Sequence, residues 1–131
     1  MIRGLDTSFL IQVEVAGHPG HENARALMER LLDQGDLLGL APQVLGEFLH
    51  VVSDPRRFER PLDMDQAVRR AQFWWDAREV ERIHPSTEST RLFLSWMTQH
   101  RLGRKRMVIV RNILIRIQKR TMLFMCKVYL P

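Results

Sequence analysis

The chain has 131 residues, enough for one domain with its own core, and it carries 20 Lys and Arg against 15 Asp and Glu. Its single cysteine, Cys126, excludes a disulfide within the chain, and no apolar stretch reaches the roughly 18 residues of a membrane-spanning helix. Because no signal peptide opens the sequence either, we expect a cytoplasmic protein with no membrane partner.

The net charge of +5 is unevenly distributed along the chain. All acidic residues lie at or before Glu88, whereas residues 104–131 contain eight Lys or Arg and no acid. The sequence pI of about 10.3 therefore reflects one basic block and not a basic face spread over the fold. Charge alone does not identify a nucleic-acid partner.

A short apolar strand is predicted at residues 2–6, and it ends in the carboxylate of Asp6. Thr7 and Ser8 follow and favour the start of a helix. Asp6 has two interpretations at this position. It caps the helix, or it serves as a ligand at the carboxyl end of a parallel strand, where open α/β sheets bind substrates and ions.

Strands and helices alternate in the order β-α-α-β-α-α-β-α. Further strands are predicted at residues 37–40 and 80–84. Helices are predicted at 9–15, before Gly35, from Pro42, from Asp63 or Asp65, and from Thr87 to Gly103. This order predicts an α/β fold with a small parallel sheet covered by helices on both faces. Apolar residues at helical spacing define the expected buried faces: Ala24, Leu27, Met28, Leu31, Leu32; Val44, Leu45, Phe48, Leu49, Val52; Ala67, Val68, Ala71, Trp74, Trp75; Leu92, Phe93, Trp96 and Met97.

Glu47 lies in the helix that begins near Pro42, at the edge of its apolar stripe. Such a residue either faces water or points towards the strand ends where Asp6 emerges. The residue pattern leaves both alternatives open.

These segments together resemble a PIN-domain ribonuclease of the VapC toxin type. The resemblance rests on Leu5-Asp6-Thr7-Ser8-Phe9-Leu10, on a His-Pro-x-His turn into a long helix, and on Pro42-Gln43-Val44-Leu45-Gly46-Glu47-Phe48. It covers about the first 107 residues, including Leu102-Gly103-Arg104-Lys105-Arg106. It implies an α/β/α sandwich, Mg²⁺ or Mn²⁺, cleavage of RNA, a homodimer and a small antitoxin partner. Asp6 and Glu47 match the first two acidic positions of the family.

The resemblance ends after about Met107. The family has a third acid shortly after the basic segment, but the aligned residues around Ile109 contain none, and a further helix, a last strand and a fourth acid are also not recognisable. We therefore predict one PIN-like domain over residues 1–131, family-like over 1–107 and divergent over 108–131. Our hypothesis is that a frameshift, deletion or other gene disruption produced this tail. Its apolar residues fit a strand or a helix.

Loss of the third acid is expected to weaken metal binding and catalysis, because each carboxylate contributes to holding the ion. The chain is thus expected to be a metal-dependent endoribonuclease toxin with impaired activity. The alternative is an inactive PIN-like module that binds antitoxin or RNA.

Other side chains have competing interpretations. His18 and His21 span a Pro-Gly turn, and without further ligands a turn role is favoured over zinc binding. Tryptophans are expected in core or dimer packing more than in base stacking. Two basic groups either contact RNA phosphates or remain solvated: Arg56, Arg57 and Arg60, and Arg104, Lys105 and Arg106.

Overall fold

The computed structural model describes residues 1–99 and 123–124. In these residues the elements follow the predicted order, with one strand added at the end. They are β1 (Ile2–Gly4), α1 (Thr7–Glu14), α2 (His21–Asp33), β2 (Leu37–Leu40), α3 (Pro42–Val52), α4 (Met64–Asp76), β3 (Val80–Arg82), α5 (Thr87–Gln99) and β4 (Leu123–Phe124).

The strands form one parallel sheet in the order β3-β2-β1-β4. Gly4 of β1 lies opposite Gly39 of β2, and Leu38 of β2 lies opposite Val80 of β3. Two helices separate β1 from β2, and two separate β2 from β3. They form the crossover connections that neighbouring parallel strands require. The predicted α/β class with a small parallel sheet is confirmed.

The C-terminal region contributes a strand to this sheet. Residues of β4 pair in parallel with Arg3 and Gly4 of β1, so β1 has neighbours on both sides. The sequence analysis recognised no last strand, and this expectation is wrong for these two residues. A two-residue strand carries almost no pattern of its own, because its position depends on the neighbour with which it pairs. The rest of the tail, including Ile109, lies outside the described residues.

Local signals place the helix ends where the sequence predicted them. Pro42 stands in the first turn of α3, and Asp63 caps α4 through a capping box with Gln66. Gly35 follows α2 with a φ of 75°, a left-handed conformation that favours glycine. Each signal acts within a few residues, which is why it can be recognised without the tertiary fold.

The core lies between the helices and the sheet. Leu5, Leu10, Leu38, Leu40 and Phe48 are almost completely buried. The inner faces of α2, α3 and α4 largely match the predicted stripes. Val68 is the exception, because 40% of it is exposed.

A polar contact joins α1 to α4 at the edge of this core. The indole Nε1–H of Trp74 donates to Glu14 Oε1 over 2.7 Å, and Arg70 donates to the backbone oxygen of Glu14 over 2.8 Å. Trp74 is 5% exposed, which confirms its predicted core position. Among the described residues, no helix is long and apolar enough to cross a membrane.

Candidate active site

Asp6 follows β1 directly and caps α1. Its Oδ1 accepts a hydrogen bond from the backbone N–H of Phe9 over 2.7 Å, and the residue is 5% exposed. The capping interpretation is therefore correct. It does not exclude a second role, because this bond is made to one of the two carboxylate oxygens.

Glu47 reaches the same end of α1. The hydroxyl of Thr7, the residue after Asp6, donates to Glu47 Oε2 over 2.8 Å, and Thr7 is 6% exposed. This contact joins residues 40 positions apart in the chain. Of the two interpretations left open for Glu47, the structure shows the inward one: its side chain turns towards the carboxyl ends of the strands.

The packing of α3 explains the direction of Glu47. Val44, Phe48 and Val52 are buried, so one side of the helix is fixed against the core. Position 47 lies at the border of that side, where a half-buried carboxylate reaches a neighbouring helix without losing all of its hydration. The N-terminus of α3 follows β2 as that of α1 follows β1, so both helices begin at one sheet edge.

Gln43 lies one turn before Glu47 on the same side of α3. Its Oε1 is buried and has no hydrogen-bond partner in the described part of the chain. A buried carbonyl oxygen without a partner is costly in an ordinary core, and such groups often mark functional sites. The sequence analysis singled out neither Gln43 nor Thr7. Their only available signal was proximity to Glu47 and Asp6.

Another buried acid, Asp36, lies at the amino ends of the strands, opposite the end at which Asp6 lies. It precedes β2 and binds the Met1 amino group and the Nε of Arg3, each over 2.7 Å. These contacts, first the hydrogen bond from the Met1 amino group and then that from Arg3, lower the pKa of the Asp36 carboxyl. Asp36 therefore stabilises the start of β1 and β2 and is separate from Asp6 and Glu47.

A third buried carboxylate, Asp54, organises the turn after α3. Arg56 donates to both of its oxygens over 3.0 Å, and Arg57 Nε lies 3.6 Å from Oδ2. The hydrogen bonds from the Arg56 side chain and backbone hold the pKa of Asp54 at about 2. Both arginines pair with Asp54: Arg56 makes the bidentate pair with a side chain that is 83% exposed, and Arg57 makes the longer contact with a side chain that is 59% exposed.

The two histidines of the α1–α2 turn hold the turn together. His18 Nδ1 accepts from the backbone N–H of Gly20 over 3.0 Å, and His21 Nδ1 lies 2.9 Å from the Gln12 carbonyl oxygen. No group of three or more His, Cys, Asp or Glu side chains that could hold a metal occurs in the described part of the chain. The hydrogen bonds of His18 and His21 within the turn fit the turn role that the sequence favoured.

Arg104, Lys105 and Arg106 lie outside the described residues, so their expected contact with RNA stays a prediction. The described site consists of Asp6, of Glu47 with the Thr7 hydroxyl that donates to it, and of Gln43 one turn before Glu47 on α3. The domain prediction, with its boundary after residue 107, also stays a prediction.

Comparison with solved structures finds proteins of similar fold. A crystal structure of VapC20 from Mycobacterium tuberculosis, described as a sarcin-ricin loop cleaving toxin, matches with a TM-score of 0.64 and 19% sequence identity. The match covers 90% of this chain and 82% of that chain. No protein-family profile matches the sequence, and no curated protein is significantly similar to it. The structural likeness confirms the predicted VapC-type PIN fold.

Proposed function

We propose that this chain, which has the fold of VapC-type PIN domains, is a metal-dependent endoribonuclease and the toxin component of a toxin–antitoxin pair. The observation that carries the proposal is the Thr7–Glu47 hydrogen bond, which brings Glu47 beside the residue that follows Asp6. The metal site expected from the sequence requires Asp6 and Glu47 to lie close together. A fold of this type with the acids on separate faces would not support hydrolysis.

The donor set suits Mg²⁺ or Mn²⁺. Hard divalent cations prefer oxygen ligands, and Mg²⁺ is commonly held by one or two carboxylates together with water and substrate phosphate. Asp6 and Glu47 would hold the ion, and Gln43 Oε1, which has no hydrogen-bond partner among the described residues, is a further oxygen donor on the same side of α3. When bound, the ion lowers the pKa of a coordinated water and stabilises charge on the phosphate.

The protein's own groups position these ligands. The Phe9 N–H donates to Asp6 Oδ1 and holds this carboxylate in place at the start of α1. The Thr7 hydroxyl donates to Glu47 and limits its rotamers, so both carboxylates are oriented before substrate arrives. Burial of Asp6 and Thr7 keeps bulk water away from one side of the site.

The activity test uses the purified full-length chain and a sarcin-ricin loop hairpin RNA, the substrate named for VapC20. We expect cleavage that requires Mg²⁺ or Mn²⁺ and disappears with EDTA. Asp6→Asn and Glu47→Gln should each reduce it by about a hundredfold or more, as loss of a metal ligand does. Asp63→Asn is the matched control, because Asp63 also caps a helix but lies outside the site.

A second candidate is an inactive module that binds RNA or antitoxin without cleavage. The absence of a third acid from the cluster of described residues favours it. Ile109→Asp separates the candidates. An impaired enzyme should gain activity when the carboxylate is restored. If the chain folds and binds RNA but cleaves it neither with Ile nor with Asp at position 109, it is a binding module.

The proposed partners are RNA, a small antitoxin and a second copy of the chain, in the cytoplasm. Light scattering of the purified chain tests the homodimer. A monomer at all concentrations would contradict that part of the proposal.

A further inference from the structure

An open cleft of about 470 Å³ lies beside the first turns of α1. It begins at Ser8, next to the Thr7 hydroxyl that binds Glu47, and it extends towards the end of α3. The residues that line it are Ser8, Ile11, Gln12, His18, Val51, Arg57 and Phe58. The cleft therefore starts one residue from the proposed catalytic site without including its acids.

His18 presents a defined donor in this cleft. Its Nδ1 accepts the Gly20 backbone N–H, so Nδ1 carries no proton and the neutral ring has its proton on Nε2. The close approach depends on Gly20, since a Cβ there would lie 3.1 Å from the Gln12 side chain and 3.3 Å from His18 Nδ1. The turn thus fixes both the ring and its tautomer.

Arg57 supplies a positive charge on the other side of the cleft. Asp54 already receives three hydrogen bonds from Arg56, each over 3.0 Å, and the Nε of Arg57 lies 3.6 Å from Asp54 Oδ2. The Arg57 side chain is 59% exposed, which leaves its terminal nitrogens accessible to a ligand. Guanidinium groups bind phosphate with two parallel donors.

The remaining wall is apolar and contains one aromatic ring. Ile11 and Val51 line it, and Phe58 is half-buried against the core while it still contributes to the cleft. An aromatic ring held by the core is a rigid surface for a base, and every base has a face that can stack.

We propose that this cleft binds one nucleotide of single-stranded RNA adjacent to the phosphodiester held at Asp6 and Glu47. In this subsite Arg57 contacts a phosphate, His18 Nε2–H donates to the nucleotide, and Phe58 contacts the base. The inference rests on the proposed ribonuclease function and extends it. Single-stranded loops are the part of RNA whose bases are available for such stacking.

The test measures binding and cleavage of the same fluorescent RNA hairpin for three variants. Arg57→Gln removes the charge, and Phe58→Leu removes the aromatic ring while it keeps an apolar side chain. His18→Asn removes the Nε2–H donor, and its own side-chain oxygen can still accept the Gly20 N–H in an Asx turn. Arg25→Gln is the charge-matched control on the exposed side of α2. Binding is measured in the Asp6→Asn background, where cleavage is suppressed, and circular dichroism checks the fold.

Arg57→Gln should weaken binding about tenfold and reduce the salt dependence by about one phosphate contact. His18→Asn and Phe58→Leu should each weaken it about fivefold or more, in line with one lost hydrogen bond or stacking contact. In the active background KM should rise with little change in kcat, because these residues do not touch the reacting atoms.

If the three variants bind the RNA as tightly as the Arg25→Gln control does, the subsite proposal is wrong, even if the wild-type chain cleaves RNA. The reverse result is also informative. If wild-type protein binds the hairpin but never cleaves it, and the variants weaken binding, the ribonuclease proposal fails while the subsite stands. If no form of the protein binds this RNA, the subsite is wrong.

Discussion

At the scale of single residues, the Thr7 hydroxyl links Glu47 to the residue that follows Asp6. Thr7 is buried and donates to Glu47 across 40 positions of sequence, while the neighbouring Asp6 is held by the first turn of α1. A capping role and a ligand role are compatible in Asp6, since they use different oxygens. We therefore expect Thr7 to contribute to the position of Glu47.

Thr7→Val should reduce RNA cleavage about tenfold and leave stability within about 1 kcal/mol, because valine keeps the shape of threonine and Glu47 retains partial hydration. Single-turnover cleavage and urea unfolding measure the two effects. Thr98→Val is the control, since its hydroxyl donates to a carbonyl of its own helix, α5. Full activity in Thr7→Val would show that Glu47 needs no positioning.

Glu14 illustrates a residue whose role is stability. Glu14→Ala should lower the free energy of unfolding by about 1–3 kcal/mol, because the Trp74 indole N–H loses its acceptor at the edge of the core. Glu14→Gln keeps an acceptor and should cost less. Urea denaturation measures both, with the exposed Glu29→Ala as control. Equal losses for the alanine and glutamine variants would contradict the hydrogen-bond explanation.

At the scale of elements, the helices combine local end signals with a buried face. The start of α3 at Pro42 and the capping box of α4 depend on neighbouring residues only. What each helix then contributes to the site depends on the direction of its inner face. In α3 that face brings Glu47 to α1 and leaves the Gln43 oxygen buried without a partner in the described residues.

Two glycines test the local part of this account. Gly35→Ala should destabilise the fold by about 1 kcal/mol, because the φ of 75° is unfavourable for alanine. Gly46→Ala should stabilise it by about 0.5–1 kcal/mol, because Gly46 lies inside α3 and a Cβ there would meet nothing within 4 Å. Thermal and urea unfolding measure both. If both substitutions stabilised the fold, or both destabilised it, this explanation of the two glycines would be wrong.

At the scale of the whole molecule, charge pairs fix turns outside the site. Asp54 joins the end of α3 to the following loop through Arg56 and Arg57, and Asp36 joins the starts of β1 and β2. Both carboxyls have lowered pKa values, so both favour the folded state when ionised. The stabilisation that these two carboxylates give is fully present at pH values above the range in which ordinary carboxyls titrate.

We therefore expect stability to fall as the pH drops from about 5 towards 2. The pKa of Asp54 is about 2 in the folded chain against an ordinary value of 3.8, so the unfolded chain takes up its proton first and acid favours unfolding. Asp54→Asn should flatten this part of the pH profile and lower stability at neutral pH. Urea unfolding between pH 2 and pH 7 measures it, with the exposed Asp33→Asn as control. An unchanged profile would contradict the role of Asp54.

Sequence patterns alone determined the α/β class, the order of the elements from β1 to α5, most of the inner faces and the candidates Asp6 and Glu47. The class, the order and the inner faces follow from capping residues and hydrophobic periodicity, which act over a few positions, whereas Asp6 and Glu47 were joined as candidates by the resemblance to a known family. Tertiary structure decided that Glu47 turns towards Thr7, that Gln43 has a buried oxygen, that the cleft beside Ser8 exists and that β4 pairs with β1. All four depend on contacts between residues distant in sequence, and such contacts arise only when helices pack on a shared sheet.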